Sequence, residues 1–217
     1  MNRTVGLALM AGLVMASATI VHAGETFVLA GKDAWTGCRL VGFNPYGDKK
    51  SFYPMLLKYA DWGGINVHSR GSKERNGAEE GTDLIRFDLA KIAKDAKIKE
   101  ARLVLPVIAN AGKSNAVHVF EVLVPWTEKV DWKTTDGATA WEAEGCHGDK
   151  DKKKVADVTV PDQKLDPKAP LEINADVTDL VRSWLYGKSA NNGIKLEMTG
   201  GYVNFAMKGF RLEIVTE

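Results

Sequence analysis

The stretch Asn174-Ala175-Asp176-Val177-Thr178-Asp179-Leu180-Val181-Arg182-Ser183-Trp184-Leu185-Tyr186-Gly187-Lys188-Ser189-Ala190-Asn191-Asn192-Gly193-Ile194-Lys195-Leu196-Glu197-Met198 decides how this chain reads. Val177, Leu180, Val181, Trp184 and Leu185 recur at i, i+3, i+4, i+7 and i+8, the apolar stripe of a short helix. Asp176 stands just before the stripe, where a carboxylate can accept the free N–H groups of a first helical turn. Asp179 keeps negative charge near the positive end of the helix dipole. Gly187 falls where a left-handed C-terminal cap is wanted. Asn191-Asn192-Gly193 then reads as a turn into a strand, with Ile194, Leu196 and Met198 on a buried face and Lys195 and Glu197 on the opposite one.

Outward from this stretch the chain reads almost entirely as short strands. Residues 25–30, resuming at 34–36, then 84–89, 97–108, 116–124, 155–160, 171–174, 194–198, 202–207 and 210–215 carry strand patterns. Ile85, Phe87 and Leu89 share a face, as do Leu103, Leu105 and Val107, with Arg102 opposite. Phe210, Leu212 and Ile214 point in while Arg211 and Glu213 point out. Residues 116–124 are apolar on both faces, as inside a sandwich. Short strands at short intervals with one helix predict an all-β fold, a jelly-roll-type antiparallel β-sandwich with one short α-helix near the C-terminus. Residues 37–81 interrupt the pattern as a long irregular segment rich in turn signals and in aromatics. That many aromatics argue against simple disorder, and a loop of this length is usually functional or has structure of its own.

Residues 1–23 stand apart. Arg3 precedes an apolar run, and Val21-His22-Ala23 places small residues where signal peptidase cuts, so the segment reads as a secretory signal peptide cleaved before Gly24. The alternative is a membrane anchor, for which the run sits at the short limit. Cleavage would leave one domain, residues 24–217, exported to the outside of the cell or the periplasm. Of the 29 basic residues 28 remain without Arg3, against 28 acidic ones, so global charge argues for neither nucleic acid nor a membrane surface. Two cysteines in an exported chain predict a disulfide, Cys38 to Cys146. Closing a loop of about 100 residues, it would contribute ~4–5 kcal/mol.

The chain carries no motif of catalysis. His68, His118 and His147 lack metal-ligand spacing, and no nucleophile elbow, paired-histidine helix or phosphate loop is present. The expectation is therefore no enzyme, no cofactor and no metal. Two features remain. Trp35, Phe43, Tyr46, Tyr53 and Trp62 lie in loops, where aromatic rings either pack the loop down or stack on sugar rings. Lys49-Lys50, Arg70 with Lys73 and Arg75, and Lys150 with Lys152, Lys153 and Lys154 form basic clusters, either solvated or able to hold a polyanion. The candidate ligand contacts are Tyr46, Lys49, Lys50, Trp62, Arg70, Lys152 and Lys153.

Several of these stretches resemble one family. Leu84-Ile85-Arg86-Phe87-Asp88-Leu89, then Ala101-Arg102-Leu103-Val104-Leu105, is similar to the strand pair of the DNRLRE domain, also classed as carbohydrate-binding module family 96. Trp126-Thr127-Glu128 and Trp132 resemble its tryptophan segment, and residues 176–185 with Ala190-Asn191-Asn192-Gly193 resemble it most. The resemblance covers roughly residues 82–215. It implies an exported, non-catalytic β-sandwich that binds polysaccharide, in some members an acidic one. The matched positions are core positions and carry no ligand site to this chain. The long segment before residue 75 and the cysteine- and lysine-bearing residues 143–154 depart from the family pattern. The alternative is a structural or protein-interaction module of the cell envelope or extracellular matrix.

Overall fold

Alternation of apolar and polar side chains does most of the building. The structure, a computed structural model, describes residues 24–31, 34–41, 65–68, 81–111, 115–163, 165–199 and 202–217. The predicted signal peptide lies outside them. Eleven strands in these residues form two antiparallel sheets, with one helix. The first sheet holds β1 (Thr26–Ala30), β3 (Ile65–His68), β5 (Ile98–Ala111), β8 (Leu171–Asp176), β10 (Tyr202–Phe205) and β11 (Arg211–Thr216). The second runs β2 (Trp35–Val41), β4 (Gly81–Phe87), β9 (Ile194–Thr199), β6 (Asn115–Val122), β7 (Lys152–Val160). The expected all-β sandwich with one short helix stands. Strand β3 lies in the segment read from sequence as irregular.

β5 is long enough to organise its sheet. Residues 102–104 pair with both β8 and β11, which must therefore flank it on opposite edges. Between the sheets lie Ile85 and Phe87 of β4, Leu103, Leu105 and Val107 of β5, Val117 and Val119 of β6, and Leu212 and Ile214 of β11. These are the residues that period-2 reading turns inward. On the outer face of the first sheet, Arg211 forks onto Glu172 at 2.7 and 3.0 Å and reaches Glu213 at 2.6 Å, while Arg102 also meets Glu213 at 2.6 Å. That face is a ladder of cross-strand charges.

Helix α1 (Thr178–Leu185) plugs the open side of the sandwich after β8. It starts one turn position later than Asp176 predicts: Val177 is the N-cap residue and makes no side-chain cap. Asp176 still serves the helix end, accepting from the Thr178 N–H at 2.9 Å and its hydroxyl at 2.6 Å. The C-terminal end follows the sequence closely. Gly187 takes φ 69°, its N–H bonds Trp184 O, and the Lys188 N–H bonds Ser183 O, the paired bonds of a Schellman motif. Val177, Leu180, Val181 and Trp184 are buried in the main core. Next, Gly193 (φ 90°) passes so close to β4 that a Cβ would stand 2.3 Å from Ile85 O. Asn191 donates to Phe87 O, and Asn192 donates to Leu123 O, tying this turn to β4 and to the residue that follows β6.

Part of the outer face of the second sheet is covered rather than open to water. Residues 123–151 fold over it and bury a second, smaller cluster: Cys38, Leu40, Leu84, Val122, Trp126, Val130, Trp132, Trp141 and Cys146. All three indoles donate there, Trp126 to Asn192 O, Trp132 to Glu144 and Trp141 to Asp131 O. Buried Asp151 gathers the N–H groups of Glu142, Ala143 and Gly148.

This cluster corrects the disulfide expectation. Cys38 and Cys146 are free, buried thiols that form no bond with each other. Each fills apolar space as a small hydrophobe, and the Cys146 thiol leans on Asp151 O. Burial pushes the Cys38 thiol far up and that of Cys146 up to about 12, so neither is a reactive thiolate. Trp35 is corrected too. It is no loop aromatic but a β2 core residue, 2 % exposed and edge-on to Phe210 at 5.7 Å.

Trp184 offers a clean test of the plug. Replacing it with Ala should cost about 3–5 kcal/mol. Its indole N–H has no partner among the described residues, so Trp184→Phe should cost far less. Urea unfolding of the two variants measures the difference.

Candidate functional site

The charged residues of β9 show how far the second layer changes the chemistry. Lys195 and Glu197 alternate with core residues and would be solvent-facing on a bare sheet. Lys195 is instead 0 % exposed. Its ammonium donates to Gly145 O at 3.0 Å, Cys146 O at 2.7 Å and Glu197 Oε1 at 2.5 Å. Those three bonds use all three ammonium hydrogens. His147 Nδ1, 3.0 Å from the same carboxylate oxygen, is therefore assigned as the protonated nitrogen that donates to it. Lys152 also meets Glu197 and lies over the Phe120 ring, 4.2 Å from its centroid.

Burial drives the titrations in this cluster. It pushes Lys195 down to about 8, with Glu197 pulling the other way. Burial would raise Glu197, but the His147 bond and the Lys195 and Lys152 charges outweigh it and hold the carboxyl far below the usual range. His147 is lowered by burial against the pull of Glu197. Cys146, whose carbonyl faces the ammonium, sits at φ 60°, where a non-glycine residue is strained by ~1–2 kcal/mol. Gly145 beside it has φ 74° and no room for a Cβ, which would lie 2.6 Å from the Trp132 ring. The cluster is a clasp, closed to any substrate.

The open surface lies on the other side of β7. Here β7 and α1 form the walls of a groove, enclosing about 420 Å³ at one end and about 680 Å³ at the other. Val155, Asp179, Leu180 and Arg182 belong to both ends, so the groove is continuous along the helix. Lys153, Lys154, Arg182 and Lys188 bring four positive charges to the first end, against Asp179 and Glu121. Glu121 is only 8 % exposed and accepts from Ser189. Arg182 is held by the carbonyls of Ile98 and Lys99 and by Asp179, and Lys154 pairs with Asp157. Lys153 and Lys188 form no ion pair among the described residues. Tyr186, 42 % exposed, sets its ring at the rim while its hydroxyl donates to Ala96 O.

Of the seven ligand contacts expected from sequence, Tyr46, Lys49, Lys50, Trp62 and Arg70 lie outside the described residues. Lys152 and Lys153 are adjacent in β7, so their side chains leave on opposite faces. Lys152, its side chain 11 % exposed, belongs to the clasp; Lys153 faces the groove. The basic run is also less basic than it reads, because Lys150 pairs with Glu142, Lys152 with Glu197 and Lys154 with Asp157. Arg182 of α1, Tyr186 at its C-cap and Lys188 just beyond join the groove without a signal in the sequence that marks them apart from the helix pattern. His118, read as a structural histidine, bonds Asp157 at 2.5 Å.

No family model matches the chain, and no curated protein matches it.

Two predictions concern the clasp. Lys195→Met should cost about 3–5 kcal/mol, since it leaves two carbonyls and a carboxylate short of a buried partner. Native-state hydrogen exchange should then speed up in residues 141–148 while the β5 amides keep their protection. The second is acid sensitivity. Glu197 has a folded pKa below its unfolded one, so its stabilisation is present above about pH 4.3 and lost as pH falls below it. Glu197→Gln should be less stable at pH 7, and the gap from the native protein should narrow by pH 3, read as urea midpoints.

Proposed function

We propose that the chain is an exported, non-catalytic binding module that holds an anionic polysaccharide along the groove between β7 and α1. The observation that carries this is the pair Lys153 and Lys188, two cations without carboxylate partners among the described residues, placed beside the Tyr186 ring. An ion-paired lysine has little to offer a ligand, whereas an uncommitted one gives a polyanion a charge contact at low cost. The exposed ring offers a flat apolar face for a sugar. The groove is open and elongated, as a chain-like ligand requires. The resemblance to the DNRLRE domain of carbohydrate-binding module family 96 and the signal-peptide pattern support the same reading. A module that adds a partner's strand to the β7 edge is the weaker alternative, because Lys152, Lys153, Lys154 and Asp157 are the kind of charges that guard an edge against pairing.

Affinity electrophoresis through gels containing polygalacturonate or neutral dextran tests the proposal. Retardation by the polyanion alone is expected, weakening as salt rises. The double variant Lys153→Ala, Lys188→Ala should bind about 2- to 30-fold more weakly, from ~0.2–1 kcal/mol for each exposed charge pair. Equal retardation of native and variant proteins would remove the groove from the account, and no retardation by any acidic polysaccharide would remove the function.

A further inference from the structure

Two edges of the sandwich differ in character. β7, an edge of the second sheet, carries Lys152, Lys153, Lys154 and Asp157, charges that discourage a further strand. β1, at one end of the first sheet, pairs only with β11 among the described strands. Its residues, Thr26-Phe27-Val28-Leu29-Ala30, include no charge, no proline and no glycine, and no bulge interrupts their register with β11. An edge of this kind is a template for another strand.

The direction of its free backbone groups follows from the pairing. The Thr216 N–H donates to Glu25 O at 2.9 Å, and Glu25 stands opposite Thr216 when the β1–β11 register is extended by one residue. Opposed residues of an antiparallel pair alternate between hydrogen-bonded and non-hydrogen-bonded positions. Phe27 and Leu29 therefore spend their N–H and C=O groups on β11, while Thr26, Val28 and Ala30 turn theirs outward. Val28, the middle one of these three, has a side chain that is 55 % exposed on the outer face of the sheet. On the inner face Leu29 is buried and Phe27 is only partly buried against the main core.

A second copy of the same strand fits this edge. About a two-fold axis at Val28, Val28 meets Val28 of the copy and Thr26 meets Ala30, which gives about six backbone hydrogen bonds. The two exposed valines cover each other, and Phe27 opposes Leu29 on the inner face, so the core of one sandwich runs on into the core of the other. No like charges meet at the axis, because β1 has none, and Glu213 beside Val28 on β11 is already held by Arg211 and Arg102. A strand without charge selects no charged partner, but it is complementary to itself. β8 lies on the opposite edge of β5 and leads into α1, so the axis stands across the sheet from the β7–α1 groove.

We infer that β1 is a self-association edge: two copies of this chain pair their β1 strands antiparallel about Val28 and join their first sheets into one. A contact between two five-residue strands lies at the small end of interface sizes, so the dimer is weak and forms with rising concentration. The inference does not depend on what the groove binds.

Sedimentation velocity of the full chain over a concentration series tests this, with amide exchange measured at both ends of the series. A monomer–dimer equilibrium is expected. The Thr26, Val28 and Ala30 amides should exchange more slowly at the high concentration, while those of Phe27 and Leu29 are protected at both. Val28→Lys sets two like charges opposite each other at the axis and should weaken association at least tenfold with the melt retained, since this side chain is exposed. Val28→Pro removes an outward N–H and no bond to β11, so it too should suppress the dimer and leave the sheet folded. Under mild oxidation Val28→Cys should form a disulfide-linked dimer, and Ala30→Cys, about 14 Å from its copy in this register, should not. A chain that stays monomeric throughout would overturn the inference. So would edge amides protected equally at both concentrations, which would assign the edge to residues of the same chain. Association undiminished in the folded Val28→Lys and Val28→Pro proteins, or Ala30→Cys cross-linking as readily as Val28→Cys, would overturn it as well.

Discussion

The joint between the second sheet and the residues laid over it depends on one ammonium group. Lys195 leaves β9 away from the main core and would face water if nothing covered it. Covered, it must find three acceptors or pay the full cost of a buried charge. It finds them in two carbonyls of the covering segment and one carboxylate of its own strand. The carbonyls come from consecutive residues, Gly145 and Cys146, and presenting both needs two successive left-handed residues. Glycine does this freely; Cys146 does it under strain, which the ammonium and the burial of its thiol offset. The apolar contacts of Trp126, Trp132 and Trp141 supply area, but the ammonium fixes where the segment stops.

What the sequence reveals of this follows the range of each interaction. The helix ends were legible because their signals act within five residues: Asp176 on Thr178, Gly187 on Trp184. Inward-facing strand positions were legible because period 2 is a local property. What period 2 does not say is whether the opposite face meets water. Lys195 and Glu197 look like solvent-facing residues, and the segment that buries them lies 50 positions away from Lys195 in the chain. The same gap explains the cysteines. Two thiols in a chain read as exported predict a bond by number alone, yet Cys38 and Cys146 enter the second cluster as separate packing residues.

The two described lysines among the candidate contacts part company for a related reason. A run such as Lys152-Lys153-Lys154 is a cluster in sequence, but a strand distributes it over two faces. Lys152 goes to the clasp, Lys153 to the groove, and Lys154 takes Asp157. The residues that join Lys153 in space, Arg182, Tyr186 and Lys188, come from α1 and the turn that ends it. The polar side of that helix is what lines the groove.

These two sides of β7 are mechanically one object. Lys152 is held from the clasp side by Glu197 and by the Phe120 ring, which fixes the start of the strand against β6 and β9. Lys153 is the next residue, so its direction into the groove is set by the pinning of its neighbour. The opposite wall, α1, is fixed independently by its plug of Leu180, Val181 and Trp184 and by the Arg182 bonds to β5. The groove therefore has two walls anchored in two different cores, one between the sheets and one beneath residues 123–151. A rigid groove loses little freedom when a flexible chain settles into it, and that saving is available only while both cores are intact. The closed clasp thus serves the open groove without touching anything in it.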